Sequence, residues 1–368
     1  MKIVITGGDG FLGTHTKFFF HEKIKEGTVG LQALSRKDFA DDDLAKAALL
    51  GADLVLHFAG INRGTDEELE QGNILLSERL RELHARSGSK AHIVFASSTH
   101  EERDTAYGRG KKRAGEILLA YGVSEHIPVT VCVLPNLFGE FAKPRYNSAV
   151  ATFCDDLAAG RESEVNSEGS TQLLYVQEAI ARMVDAFVSG HTGKVHVEGV
   201  TWSIPDVYAL LANFNQTYRS GAFPDTHSAL ELQLFNTLHS YLFDVLFPLP
   251  LIVRSDDRGD LFEIVRSGRT DQVFYSSTKP GKVRGEHYHT RKMERFCVVS
   301  GEGEISVRRL LTHTTRTFKV SGAEPVVIDM PTFCTHNLKN TGETNLLAVF
   351  WISEQFNPDE PDTFREPV

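Results

Sequence analysis

Along the first 190 residues, short apolar runs alternate with longer segments whose apolar positions recur every three or four residues. The runs KIVIT (2–6), LQALS (31–35), DLVLHFAG (53–60), HIVFASS (92–98) and VTVCVLP (129–135) lie between glycine, proline or polar residues and predict strands. Between them, TDEELEQGNILLSERLRELHARSG (65–88) and GRGKKRAGEILLAYG (108–122) carry helical periodicity, and each is expected to stop at its closing glycine. Strand and helix in alternation predict a doubly wound α/β fold, a parallel sheet with helices on both faces. Residues 203–246 stay helical in pattern, with Pro205 near a start and SALELQLFNTLHSYLFDVLF as a long apolar-rich run.

The prolines of FPLPLIVRSDDRG (247–259) break this pattern. Beyond them come short alternating runs: DLFEIVRS, QVFYSSTK, ERFCVVSG, GEISVRRL, TRTFKVS, EPVVIDM and NLLAVFWIS. Regular short strands with turn signals between them predict an all-β sandwich or barrel. The boundary is placed near residue 247, giving domains 1–246 and 247–368. There are no internal repeats or low-complexity tracts.

Composition adds limits. A chain of 368 residues with 41% apolar content is long enough for two cored domains. A net charge of −10 argues against a nucleic-acid-coating surface. No run approaches the roughly 18 apolar residues of a membrane span, and MKIVITGG is too short an apolar run for a secretory signal. The four cysteines, Cys132, Cys154, Cys297 and Cys334, are widely spaced, which suits reduced thiols and a cytoplasmic protein.

Two stretches carry chemistry. In TGGDGFLG, Gly7, Gly10 and Gly13 follow a predicted strand and open a predicted helix. Glycines there let the backbone approach a pyrophosphate, and the helix start offers free N–H groups; an empty tight turn is the bland alternative. At the end of the second strand stand Ser35, Arg36 and Lys37, where an acid would suit NAD. A cation suits a 2′-phosphate, so NADP(H) is favoured, although a solvated basic turn gives the same letters. Further on, Tyr107 and Lys111 are four apart and share a helix face, and Ser98 closes the preceding strand. A neighbouring ammonium and a nicotinamide cation are expected to lower the phenol pKa and make Tyr107 a proton donor or acceptor, with Ser98 on the same substrate oxygen.

With these residues in order, residues 1 to about 246 resemble an extended short-chain dehydrogenase/reductase acting on nucleotide sugars, a Rossmann-like fold. The resemblance assigns Gly7, Gly10, Phe11, Leu12, Gly13, Ser35, Arg36 and, through HFAG, Ala59 to the cofactor, together with Tyr107 and Lys111. It makes Tyr107, Lys111 and Ser98 the catalytic set, Asn73 a supporting helix residue, and Asn136 of LPNLFG a contact to the sugar nucleotide. Two positions depart from the family pattern: Val133 or Leu134 replaces a frequent arginine, and Gly110 a frequent serine.

The second stretch is GKVRGEHYHTRKMERFCVVSG (281–301). In a strand, His287 and His289 share a face, Glu294 can come from the next strand, and His336 arrives later. Three imidazoles and a carboxylate suit Zn²⁺, Fe²⁺, Mn²⁺ or Ni²⁺; zinc is placed first, and the ligands alone do not choose. The spacing resembles the cupin signature, with Pro331, His336 and Asn340 meeting its second motif and Phe333 standing where glycine is usual. DDRGDLFEIVR resembles the opening of cupins that isomerise nucleotide-linked keto sugars, which gives Arg258 a substrate role; a charged β-turn is the plain alternative for Asp257, Arg258 and Glu263.

The two domains in this order resemble the bifunctional capsular polysaccharide assembling proteins. That resemblance implies C3 epimerisation of a UDP-4-keto-2-acetamido-2,6-dideoxyhexose by the cupin. It then implies NADPH reduction at C4 to UDP-2-acetamido-2,6-dideoxy-L-talose, a precursor of UDP-N-acetyl-L-fucosamine, by a cytoplasmic homodimer. Three other readings stay open: a one-step 4-ketoreductase with a structural or dimerising cupin, a non-catalytic NADP-sensing regulator, and a metal-dependent dioxygenase fused to a dehydrogenase.

Overall fold

The computed structural model describes all residues except 252–253, 257–258, 262–263, 265–271 and 355–356. Six strands form one sheet in the order Gly30–Leu34, Lys2–Thr6, Leu54–His57, His92–Ser98, Val129–Leu134 and Gly193–His196, every neighbour parallel. Strands covered on both faces need apolar residues without alternation. Accordingly Ile3, Val4 and Ile5, and Ile93, Val94 and Phe95, are all buried. Phe95 and Val131 pack beneath helices Asp66–Ser87 and Ala106–Glu125 through Leu80, Leu83, Ala114 and Leu118. Val94 and Cys132 face Phe20, Ala179 and Met183 on helices Phe11–Lys25 and Val176–Val188. This is the doubly wound α/β fold expected from the strand–helix alternation.

One helix end differs from the sequence reading. Gly88 is left-handed and ends its helix, as expected, but Gly122 lies inside a helix that runs on to Glu125. A Cβ on Gly122 would sit 2.7 Å from Val129 Cγ2, so this glycine permits close packing, and His126 takes the left-handed cap with φ +53°.

Packing divides the chain into two compact units: Met1–Ala149 with Asn166–Ile204, and Val150–Val165 with Pro205–Val368. The change from helical to strand pattern at residue 247 thus falls inside the second unit. Its helices Ile204–Arg219 and Ala229–Leu246 supply aromatic residues to the β-rich part. Between them, the Phe223 ring lies 3.8 Å from that of Trp351, and Phe243 meets Phe318 edge-on. Under the same helices a buried ion pair joins Arg295 to Asp329 at 2.7 and 3.0 Å, with Tyr218 and Phe223 over the guanidinium. Burial lowers the Arg295 guanidinium to about 9 and pushes the Asp329 carboxyl well up.

Among the described residues, the β part of this unit holds a two-stranded ribbon, Arg254–Asp256 with Gly259–Leu261, and two five-stranded antiparallel sheets. One runs Leu249–Pro250, Val326–Met330, Glu294–Ser300, Leu346–Ile352, Gln272–Thr278; the other runs Thr315–Ser321, Glu302–Arg309, Cys334–Asn340, Val283–Tyr288, Phe364–Arg365. This agrees with a C-terminal cupin-like β domain. Among the described residues no helix is long and apolar enough to cross a membrane.

Candidate active site and metal centre

The glycine loop sits at the carboxyl ends of Lys2–Thr6 and Leu54–His57, on the two sides of which the strand order reverses. Such a reversal opens a crevice for a ligand. Gly7 has φ +74°, and a Cβ there would lie 2.8 Å from the Ala59 nitrogen. On Gly13 it would lie 2.6 Å from the Gly7 carbonyl. These contacts require glycine and leave a cradle floored by Ala59. Gly10 precedes helix Phe11–Lys25 without a side-chain cap. The helix-start N–H groups of Phe11, Leu12 and Gly13 therefore suit an anion such as a pyrophosphate.

Gly8 N donates to Leu34 O at 3.0 Å, which brings the end of the second strand against the loop. There Ser35 caps helix Arg36–Ala40 in a reciprocal box: its hydroxyl accepts from Asp38 N, and its own N–H donates to the Asp38 carboxylate. Arg36 and Lys37 are exposed beside it. Ser35 is thus engaged in the turn, while the two cations remain on the surface.

Ser98 ends strand His92–Ser98, and Tyr107 stands at the start of helix Ala106–Glu125. Burial pushes the Tyr107 phenol above its ordinary value; a hydrogen bond with Ser98 opposes the shift and the Tyr146 phenol adds to it. The expected lowering by Lys111 is therefore not the state of the free protein. The Lys111 ammonium instead donates to Ala96 O at 2.6 Å and lies 4.2 Å from the Phe95 ring centroid. Burial lowers it to about 7, opposed by the charge of Glu101.

Asn73 sends its amide back to the loop after Leu54–His57. Oδ1 accepts from Ile61 N at 3.1 Å, and Nδ2 donates to Ile61 O at 2.6 Å and Leu69 O at 2.7 Å. It supports the site by holding that loop. Asn136 is exposed, with Nδ2 donating to Thr171 Oγ1 at 2.5 Å.

In the second unit His287 pairs directly with His336 across neighbouring strands. A bulge between Gly285 and His287, with Glu286 at φ +61°, aims the first histidine. Glu294 comes from the opposite sheet, so the cluster lies between the sheets. Its Oε2 is 3.7, 3.3 and 3.0 Å from Nε2 of His287, His289 and His336, and one donor atom from each of the four residues lies within 4.8 Å of the others. Burial pushes the Glu294 carboxyl up, but the three imidazoles crowded around it outweigh burial and hold it well below its ordinary value.

The outer ring nitrogens explain the orientation. His289 Nδ1 donates to Asp362 O at 2.5 Å and His336 Nδ1 to Cys334 O at 3.2 Å, which leaves both Nε2 lone pairs pointing inward. His289 Nε2 is buried without a well-directed hydrogen bond. An orphaned imidazole nitrogen among three other donors fits a divalent metal. Tyr288 points the other way and stacks on Phe364. Phe333 takes the glycine conformation itself, with φ +57°, its N–H donating to His289 O at 2.8 Å.

Asp257, Arg258 and Glu263 lie outside the described residues. Two residues were missed from sequence. Asp362 holds the segment after His289: its carboxylate accepts from the N–H groups of Thr290, Arg291 and Lys292 and from the Thr290 hydroxyl. Glu101 lies buried near Lys111. Neither belongs to a local pattern that separates it from surface acids.

Residues 3–197, more than half of the chain, match the model of the NAD dependent epimerase/dehydratase family. The chain belongs to this family. Residues 254–364 of this epimerase/dehydratase-family protein match the polysaccharide biosynthesis C-terminal domain. A UDP-2-acetamido-2,6-beta-L-arabino-hexul-4-ose reductase from Pseudomonas aeruginosa is 27% identical over 369 residues, covering 99% of this chain and 98% of the reductase. The crystal structure of the capsular polysaccharide assembling protein CapF from Staphylococcus aureus is 31% identical with a TM-score of 0.63, and both chains are covered in full. RMD from Pseudomonas aeruginosa, solved with NADPH, shares the fold of the family domain at 16% identity and a TM-score of 0.56, over 66% of this chain and all of RMD.

Proposed function

We propose that the protein is a bifunctional nucleotide-sugar enzyme of capsular or surface polysaccharide biosynthesis. On this reading the C-terminal domain epimerises C3 of a UDP-4-keto-2-acetamido-2,6-dideoxyhexose. The family domain then reduces the C4 ketone with NADPH, giving UDP-2-acetamido-2,6-dideoxy-L-talose. The observation that carries it is the presence in one chain of two built sites, Ser98–Tyr107–Lys111 and His287–His289–Glu294–His336. The likeness to the hexul-4-ose reductase over nearly the whole chain supports the substrate class.

NADPH, when bound in the glycine cradle, supplies the hydride. Arg36 and Lys37 offer the charge that suits its 2′-phosphate. Ser98 and Tyr107 hold the C4 carbonyl oxygen between two hydroxyls. As hydride arrives at C4, Tyr107 gives its proton to that oxygen, and the Lys111 ammonium stabilises the charge left on the phenol. Its burial keeps Tyr107 protonated beforehand, the state a reduction needs.

His287, His289, Glu294 and His336 would hold the divalent metal, which supplies Lewis-acid stabilisation of an enolate oxygen. The acidity of a proton beside a ketone makes epimerisation at C3 possible before C4 is reduced. Reduction then removes the ketone and prevents reversal.

The test uses the full chain with the UDP-4-keto-6-deoxy-N-acetylhexosamine in D₂O. Tyr107→Phe should abolish NADPH oxidation and leave exchange of the C3 proton intact, whereas His336→Ala should stop the exchange. Reduction without any C3 exchange in the parent protein would reduce the assignment to a one-step ketoreductase.

A further inference from the structure

Glu101 lies in the short turn of 3₁₀ helix Thr99–Glu102, between the strand that ends at Ser98 and the helix that bears Tyr107 and Lys111. Its side chain is only 4% exposed, unusual for a glutamate unless it is paired. The carboxylate is held from two sides. Ser97 Oγ donates to Oε2 at 2.5 Å, and Lys194 Nζ, on strand Gly193–His196, donates to Oε1 at 2.5 Å. Ser97 and Phe95 are two apart on one strand and share a face. Phe95 is the ring under the Lys111 ammonium, so Glu101 is fixed on the face of the sheet that carries Lys111.

Among the described residues, the groups placed around Lys111 are mostly neutral. Helix Asp66–Ser87 brings the neutral amide of Asn73, and strand His92–Ser98 brings the Ala96 carbonyl and the Phe95 ring. Strand Leu54–His57 brings His57, which burial lowers to about 3 and leaves neutral. Tyr107 on the same helix is also neutral. Lys194 is the cation paired with the Glu101 carboxylate.

We propose that Glu101 is a positioning residue for the reduction, a fixed counter-charge that favours the ammonium form of Lys111 beside Tyr107. The proposal rests on Tyr107 and Lys111 being the reductase pair. Lys194 tempers this counter-charge, because it neutralises part of the carboxylate from the far side. The two residues therefore act on Lys111 with opposite sign.

The experiment follows the Lys111 side chain by NMR in full-length protein carrying ¹³C-lysine, as pH is raised without cofactor. Glu101→Gln should lower the titration midpoint of Lys111 by about one pH unit, the lower end of the effect of a close opposite charge. Lys194→Met should raise it. The alkaline limb of NADPH-dependent ketone reduction should move in the same two directions, and Glu101→Asp should restore most of the Gln effect. A folded Glu101→Gln protein with an unmoved midpoint overturns the proposal. Should that variant fail to fold, an unmoved or lowered midpoint in Lys194→Met overturns it equally. A parent protein without reductase activity would count against the reductase reading, while the midpoints would still decide whether Glu101 sets the charge of Lys111.

Discussion

The main-chain carbonyl of Asp362 accepts a hydrogen bond from Nδ1 of His289 at 2.5 Å across 73 residues of sequence, and the side chain of the same aspartate gathers three consecutive N–H groups just beyond that histidine. One residue thus fixes both the ring orientation of a candidate metal ligand and the backbone that follows it. Asp362→Ala would leave those N–H groups, one buried and two part-buried, without their shared acceptor and loosen the ring. The expected result is a 10- to 100-fold loss of metal affinity, roughly what outer partners of metal ligands contribute. Competition with a chelator measures it, and unchanged affinity would show that the ring is held by other contacts.

Lys111 should oppose stability while it serves chemistry. Burial lowers it from 10.5 to about 7, so between these values the unfolded chain binds a proton that the folded chain does not. Stability therefore rises with pH through that window, and the full cost of the buried charge is present below about pH 7. Lys111→Met should abolish reduction yet melt higher than the parent at pH 6.5, with the difference shrinking toward pH 10. A constant or reversed difference in melting temperature would contradict this.

Phe333 sets two effects against each other. Its left-handed backbone costs about 1–2 kcal/mol relative to glycine, but its ring is only 2% exposed, and removing a buried phenylalanine costs about 3–5 kcal/mol. Phe333→Gly should therefore lose roughly 1–4 kcal/mol in urea unfolding rather than gain from the usual glycine. A gain would mean that the ring contributes little to packing.

The C-terminal domain should not survive being cut at residue 247. A fragment of residues 247–368 uncovers Trp351 and strips Tyr218, Phe223 and His239 from around the Arg295–Asp329 pair. A buried ion pair is tolerable only with its surroundings complete. Residues 205–368 should melt at a higher temperature than 247–368, and equal melting temperatures would show that the helices are dispensable.

The parts legible in the sequence are those whose signal is local. The glycine loop, the Tyr107–Lys111 spacing and the His287–His289 pair each lie within a few residues, and backbone periodicity turns the spacing into a shared face. Five strands of the parallel sheet were visible because burial on both faces writes continuous apolar runs, whereas the sixth, Gly193–His196 at the sheet edge, reads GKVH and carries no such run. Gly122 misled because a glycine permitting close packing looks the same as one ending a helix. Asp362 and Glu101 were invisible for another reason. Asp362 meets a segment about 70 residues earlier and Glu101 meets Lys194 on another strand, and an acidic residue in PDEPD or HEERD looks like solvated surface until the fold buries it. The packing of Phe223 on Trp351 is likewise a long-range fact that periodicity does not encode.

Helix Ala149–Ala158, nearly all of it assigned to the second unit, leaves the ribosome long before the rest of that unit is complete. Phe153 meets Tyr208 edge-on, and Ala158 O accepts from Arg219, which itself sits on the helix that leads toward the Phe223–Trp351 contact. At about 5–20 residues per second, the nearly 200 residues from this helix to Trp351 take roughly 10–40 s to synthesise. For that interval an apolar helix has no finished core to enter. A gene split at the visible change of pattern would make the wait indefinite, so the two halves of this chain are bound together by their order of birth as well as by their chemistry.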